Sequence, residues 1–315
     1  MGTLILRRLF SLIPLLLLVS FGVFMLTALV PGDAATTLAG GENATPERIA
    51  AVRAELHLDD PLVDQYGRWL GNAVQGDFGD SLFSHVSVID DVRDRFPITL
   101  GLALAALVVG LTIGVPLGVL SALRPGRSVD KASRVGTSLA IAIPNYWLAI
   151  ELVVLFAVTW RLLPPSGYVK FTDDPAEWLR HIALPAVALG VWSAASLARQ
   201  LRASLIDALD ARYVRTAWAK GAGTRRVVLK HAMKNAAIPV VTVLGLQIGF
   251  LLGGTVIIEQ IFSIPGLGPY FIRAVTSFDV PVIQGVAIVF VLITVVLSLL
   301  VDISYGLLDP RVRVK

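Results

Sequence analysis

Residues able to do acid–base, metal or nucleophilic chemistry are few in this chain, and their spacing supports none of it. The four histidines, His57, His85, His181 and His231, fall in different segments, and there is no cysteine. Without cysteine no disulfide or thiolate metal site can form. HExxH and GxSxG are both missing, so neither a zinc-hydrolase helix nor a nucleophile elbow is present. None of the six lysines (Lys131, Lys170, Lys220, Lys230, Lys234 and Lys315) has the glycine before it that a GxxxxGK[ST] phosphate loop requires, so the chain has no such cradle for ATP. No catalytic, cofactor-binding or metal residue is expected, and the chain does not read as an enzyme.

One ionisable side chain, Glu151, sits well inside an apolar run. A carboxylate there costs about 2.5–3.5 kcal/mol on insertion scales, so it should face a bundle interior, a cavity or another chain. A solute contact, a gate partner and an interhelical hydrogen bond are the roles open to it. Asn145, Gln247 and Gln284 are polar positions of the same kind, suited to holding helices together.

The elements that must carry these residues are set by the solvent. The chain is 55% hydrophobic and 16% charged, with mean hydropathy +0.74, whereas a soluble domain is about 25% charged. Apolar runs recur at Leu9–Val30, Ile98–Leu123, Val135–Trp160, Ile182–Ala198, Ala236–Ile258 and Gln284–Val301. Most reach the ~20 residues that cross a bilayer as helix. The fourth, with Pro185 and Gly190, is the weakest, and its helix should continue past Arg199. Pro116 and Pro144 are positioned to kink the second and third runs. The first run is too long for a signal core and reads as an uncleaved anchor. An all-α protein of six spans follows. With the N-terminus inside, 18 of the 27 Lys and Arg fall in inner segments, so both termini should be cytoplasmic. The net charge of +4 then belongs to lipid headgroups and protein partners, not nucleic acid.

Residues 31–97 carry 12 acidic and 5 basic residues. Thr45-Pro46 and Asp60-Pro61 look like N-caps followed by proline, predicting helices near 46–57 and 61–74. Gly76-Asp77-Phe78-Gly79-Asp80 marks a turn before an amphipathic lead-in at 88–96. This segment should cap the outer mouth or help receive a solute. Residues 161–181 are mostly turn chemistry. In Glu259–Val280, Pro265-Gly266-Leu267-Gly268-Pro269 should not form regular helix, and Phe262, Ile264 and Leu267 are too apolar for a free loop. A plug between helices or an outer gate would accommodate such backbone.

The most informative stretch runs from Arg199 to Pro239, where nine Lys and Arg precede residue 235 against only Asp207 and Asp210. Within 211–221, Tyr213, Val214, Ala217 and Trp218 share one helical face, and Arg212, Arg215, Thr216 and Ala219 the other. Gly221 and Gly223 can adopt positive φ and end that helix, and a second helix, Arg225 to Asn235, leads into span five. A helix this short must pack on something. A cytoplasmic partner suits it better than lipid headgroups.

These residues resemble a family. Arg215-Thr216-Ala217-Trp218-Ala219-Lys220-Gly221, followed by Arg225-Arg226-Val227-Val228-Leu229-Lys230-His231-Ala232-Met233-Lys234-Asn235, is similar to the EAA loop of ABC importer permeases. The likeness is to the dipeptide/oligopeptide/nickel branch, first of its two permease subunits. Arg7-Arg8, Gly76-Asp77-Phe78-Gly79-Asp80-Ser81, Glu259-x-x-Phe262-Ser263-x-Pro265-Gly266-Leu267-Gly268 and Asp302-x-x-Tyr305-Gly306-x-x-Asp309-Pro310-Arg311 agree with it. Arg215-Thr216-Ala217 stands where broader importers carry Glu-Ala-Ala, and His231-Ala232-Met233-Lys234 where they carry Ile-x-Leu-Pro.

The resemblance implies a type I ABC importer permease in a prokaryotic cell membrane. It implies an N-terminal helix and extracytoplasmic loop over 1–97, a transmembrane domain over 98–304 with a coupling loop at about 204–235, and a cytoplasmic tail at 305–315. Partners would be a homologous second permease, two ABC ATPases holding ATP and Mg, and an extracytoplasmic solute-binding protein. The docking role would fall to Tyr213, Val214, Arg215, Thr216, Ala217, Trp218, Lys220 and Gly221. Glu151, Asn145, Phe262, Pro265 and Gly266 would be gate or pathway positions. Peptides are the expected cargo, with nickel chelates, glutathione or haem as alternatives. A self-sufficient channel or secondary transporter is the reading from another class, but it would show ion-coupling carboxylates or paired broken helices.

Overall fold

The computed structural model describes residues 2–29, 34–39, 44–55 and 58–308, with side chains outside 2–9, 11–12, 26–29, 34, 37–38, 55, 248 and 302–308. The side chains of the paired Arg7-Arg8, together with His57 and the tail from Asp309 with Pro310 and Arg311, therefore lie outside what is described. In order the helices are α1 (Gly2–Leu29), α2 (Ala34–Ala39), α3 (Pro46–Glu55), α4 (Leu62–Val74), α5 (Val88–Leu123), α6 (Ser128–Ala142) and α7 (Asn145–Leu152). They continue as α8 (Pro175–Asp210), α9 (Arg212–Ala219), α10 (Thr224–Arg226), α11 (Met233–Ile261), α12 (Leu267–Ser277) and α13 (Val280–Leu308). Two π-helical stretches, Val153–Thr159 after α7 and Val227–Ala232 after α10, join this series.

Among the described residues, four helices are long and apolar enough to cross a bilayer: Val88–Leu123, Pro175–Asp210, Thr224–Gln247 and Val280–Val301. The third expected run is a bent pair, α6 and α7 with its π extension, turning by 99°. The cause is local. Ile143 and Pro144 are extended, with ψ 123° and 137°, as a residue before proline prefers, and the helical ladder breaks there. The first expected run lies in α1, whose apolar part among the described residues is Ile13–Met25.

Two compact units divide the chain: Thr99–Ile264 with Val296–Lys315, and Gly2–Ile98 with Pro265–Val295. In the first, α8 is the central element, and it does run past Arg199 to Asp210. Asp174 caps it, accepting from the amides of Ala176 and Glu177 at 2.9 and 3.0 Å ahead of Pro175. Helix α5 lies against α8 through glycines one turn apart. A Cβ on Gly114 would meet the Ala194 carbonyl oxygen at 2.6 Å, and one on Gly118 the Ala198 oxygen at 2.9 Å. Small residues let backbones approach this closely where no water is displaced to drive association. Gln247 adds the expected polar tie, its Oε1 accepting from Ser193 Oγ at 2.6 Å between α8 and α11.

The second unit holds a core of Phe78, Val88, Val92, Leu267, Ala274, Val282 and Val286. The Gly76–Asp80 turn forms as expected, with positive φ at Gly76 and Gly79 and Asp77 Oδ1 accepting from the Gly79 amide at 2.8 Å. Two expectations shift. Pro61, not Asp60, precedes α4, and its extended ψ of 138° leaves Asp60 one residue too far away to cap. Asp60 instead pairs with Arg68 at 2.8 Å. Irregular backbone also ends at Gly266, and Leu267, Gly268 and Pro269 open α12. Proline is tolerated there because first-turn amides have no intrahelical acceptor.

Candidate functional site

The site is the segment joining α8 to α11. Ala211 is extended, with φ −64° and ψ 145°, and turns the chain from α8 into α9. At the far end the amides of Gly221 and Ala222 donate to the carbonyls of Trp218 and Ala217 at 2.9 and 3.2 Å. Gly221 has φ +77°, the left-handed geometry this double bond pattern needs. Gly223 does not share that role, because it is extended, with φ −68° and ψ 156°, and precedes α10.

The apolar face of α9 is split. Val214 is fully buried and Ala217 half-buried, whereas Tyr213 and Trp218 are 43% and 41% exposed. The expected stripe is thus not all outward: its centre anchors the helix to its own chain and its two aromatic rings face away. Asn235 Nδ2 donates to the Tyr213 hydroxyl at 2.6 Å, tying α9 to α11. Below α9, Val228, Ala232 and Ala236 pack with Leu201, Leu205 and Ala208 of α8 in one core. The predicted second helix is therefore the short α10, a π-helical stretch buried at Val227, Val228 and Ala232, and the start of α11. π-helical turns are rare and are often found at functional sites.

A cavity of about 410 Å³ opens beside α9, lined by Tyr213, Thr216, Ala217, Lys220, Gly221, Ala222, Arg226 and His231. Arg212, Arg215, Lys220, Arg225, Arg226 and Lys230 are exposed around it. Among the described residues only Arg215 of these is paired, with Asp210 at 2.6 Å. The surface offers aromatic anchors, a groove and uncompensated positive charge, which suits an acidic protein surface with an apolar knob.

Of the eight expected docking residues, Val214 is buried and the other seven lie half-buried or exposed on α9 and the turn that ends it. The expected gate residues belong to α7 and to the Phe262–Gly266 segment between α11 and α12. Glu151 is exposed on α7 and, among the described residues, makes no hydrogen bond or ion pair, so it is not an interhelical tie within this chain. Asn145 opens α7 and its Nδ2 would lie 3.2 Å from a Cβ on Gly254 of α11. Phe262 is buried after α11. Pro265 is exposed, and buried Gly266 immediately precedes α12. Two features escaped the sequence reading. One is the Gly110-x3-Gly114-x3-Gly118 spacing, visible as a small-residue repeat. The other is the buried Asp130–Arg202 pair, whose partners lie 72 residues apart with no local signal.

Comparison with known proteins agrees with this architecture. Residues 114–314 match the family described as binding-protein-dependent transport system inner membrane component, and residues 1–103 match the N-terminal region of such membrane components. A Brucella abortus (strain 2308) protein named as a peptide transport system permease is 40% identical over 313 residues, covering 99% of each chain. The glutathione transport system permease GsiC of Escherichia coli (strain K12) is 40% identical over 311 residues, again 99% of each. A chain of the inward-facing MetNI methionine ABC transporter has the same fold, with TM-score 0.57 at 18% identity over 69% of this chain and 96% of that one. This chain belongs to the family of binding-protein-dependent transport system inner membrane components, as a multi-pass permease subunit of an ABC importer.

Proposed function

We propose that the chain imports peptides, forming half of a translocation pathway with a homologous second permease and coupling through α9 to two ATPase subunits. An extracytoplasmic binding protein delivers the solute. The observation that carries the coupling reading is the α9 surface: two exposed aromatic rings on a helix held by buried Val214 and by the Tyr213–Asn235 bond, in a chain without a phosphate loop. ATP and Mg are held by the partner ATPases, so this subunit is not catalytic. Closure of the ATPases pushes on α9, and the attached ends of α8 and α11 exchange inward- and outward-facing arrangements. Solute passes along α5 to α11. Exposed Glu151 and half-buried Asn145 of α7 are pathway positions, and Phe262, Pro265 and Gly266 contribute to the outer gate. Both relatives' names favour a peptide cargo, with glutathione as the short-peptide case.

Reconstitution with the ATPase, second permease and binding protein in proteoliposomes tests this. ATP-dependent uptake of labelled di- or oligopeptide, competed by unlabelled peptide, is expected. Uptake that persists without ATP would overturn the coupling reading, and uptake of only a nickel chelate or haem would overturn the cargo.

A further inference from the structure

Asp130, in the first turn of α6, is fully buried yet has its acceptor positions filled. Its Oδ1 accepts from Ser121 Oγ at 2.6 Å, near the end of α5, and from Arg202 Nε of α8. Its Oδ2 accepts from the Gly126 amide in the α5–α6 turn at 2.8 Å and from Arg202 Nη2 at 2.9 Å. Arg134 stands further off at 3.8 Å. One carboxylate thus gathers α5, the following turn, α6 and α8, and its Arg202 contact is the two-pronged fork that fixes orientation as well as distance. A buried pair of this kind adds little net stability over an apolar replacement, and its better-attested use is to specify one register.

The place of that register matters. Arg202 lies about 2.5 turns before Ala211, where α9 joins α8. Leu205 and Ala208 between them are buried. A displacement entering at α9 therefore meets Asp130 before it travels further up α8. We propose that the Asp130–Arg202 pair is a positioning latch that makes the ends of α5, α6 and α8 nearest α9 move as one body during transport. Without it, α8 would answer the ATPase while α6 stayed behind. This rests on the coupling reading above.

The test uses the assembled transporter in proteoliposomes. The chain has no cysteine, so Lys131→Cys and Asp207→Cys, both exposed positions, can carry a spin-label pair reporting α6 against α8. The label separation is expected to stay the same between nucleotide-free and ATP-bound states, while Asp130→Asn makes it state-dependent and lowers solute imported per ATP about fivefold or more. Arg202→Lys keeps the charge but loses the fork, should behave alike, and carries the test if Asp130→Asn does not assemble. A separation that changes with nucleotide in the otherwise unaltered chain, with normal ATP-driven uptake, overturns the latch alone. So does an unchanged import-to-ATP ratio in both variants. Absence of ATP-driven uptake in the unaltered chain overturns the coupling reading and the latch with it.

Discussion

The α9 segment and the corner between Ser81 and Asp279 are both polar structures built around a short helix, and they are finished in opposite ways. At the corner, Asp279 Oδ2 accepts from Ser81 Oγ at 2.6 Å and Oδ1 from the Leu82 amide at 3.2 Å. Ser81 Oγ in turn accepts from the Phe83 and Ser84 amides at 3.3 and 3.1 Å. Arg95 pairs with Asp91 at 3.2 Å and stacks 4.7 Å over the Tyr270 ring. The Ser81 hydroxyl and the Asp91 and Asp279 carboxylates are thus answered within the chain, whereas the buried Tyr270 hydroxyl has no hydrogen-bond partner among the described residues. Around α9 the aromatic rings stay out and five of six cations are unpaired among the described residues. Polar content alone does not mark a functional surface; what marks it is a cluster of exposed cations, most of them unpaired among the described residues, beside aromatic rings that stay partly exposed.

Substitutions can break that contrast. Asp279→Ala should have the largest effect on stability, about 3 kcal/mol, because it strands the Ser81 hydroxyl and Leu82 amide in a site 4% exposed. The melting temperature of the purified protein should fall by several degrees, with ATPase association unchanged once folded. Gly221→Val forces a β-branched residue to φ +77°, costing about 1–2 kcal/mol locally. Its spans should remain folded while ATPase activity separates from uptake. Trp218→Ala should leave melting within about 0.5 kcal/mol but weaken ATPase association about tenfold, as loss of an aromatic anchor does. Association that survives Trp218→Ala at full strength would remove the reason for calling α9 the open region.

Two smaller effects sharpen the comparison. Burial first, and then the neighbouring Asp91 carboxylate, push the Tyr270 phenol above its ordinary 10.0. The neutral phenol's contribution is therefore present in full below pH 10 and is lost as pH rises through the higher folded value. Tyr270→Phe should flatten that alkaline loss in a melting-temperature series. Arg215→Ala removes an exposed pair with Asp210, 66% and 79% exposed. It should change stability by roughly 0–1 kcal/mol and show itself as a weaker salt dependence of ATPase binding.

Much of the fold was legible because its signals are local. Apolar runs announced the long helices and the bent pair, Pro144 announced the break in the third run, and Gly76 and Gly79 announced a turn that needs positive φ. Span four's continuation past Arg199 was expected from the weakness of its apolar run, and the helix ends at Asp210. Shifts of one or two residues, at Asp60 and at Leu267, came from caps where proline fits either side of the boundary. For the site, the α9 surface was legible as a helical face, but the burial of Val214 was not, since it depends on α8 and the π-helical stretch folding beneath it. Asp130 was illegible for the same reason: a lone acidic residue in a basic loop gives no hint that Arg202 will reach it.

The docking claim is tested most directly by a photo-activatable label on Lys220→Cys, in the assembled transporter under conditions of ATP-driven uptake. A covalent adduct with the ATPase subunit, lost in the Trp218→Ala background, is the predicted result. Labelling of lipid or of this chain alone, with uptake normal, would contradict the account.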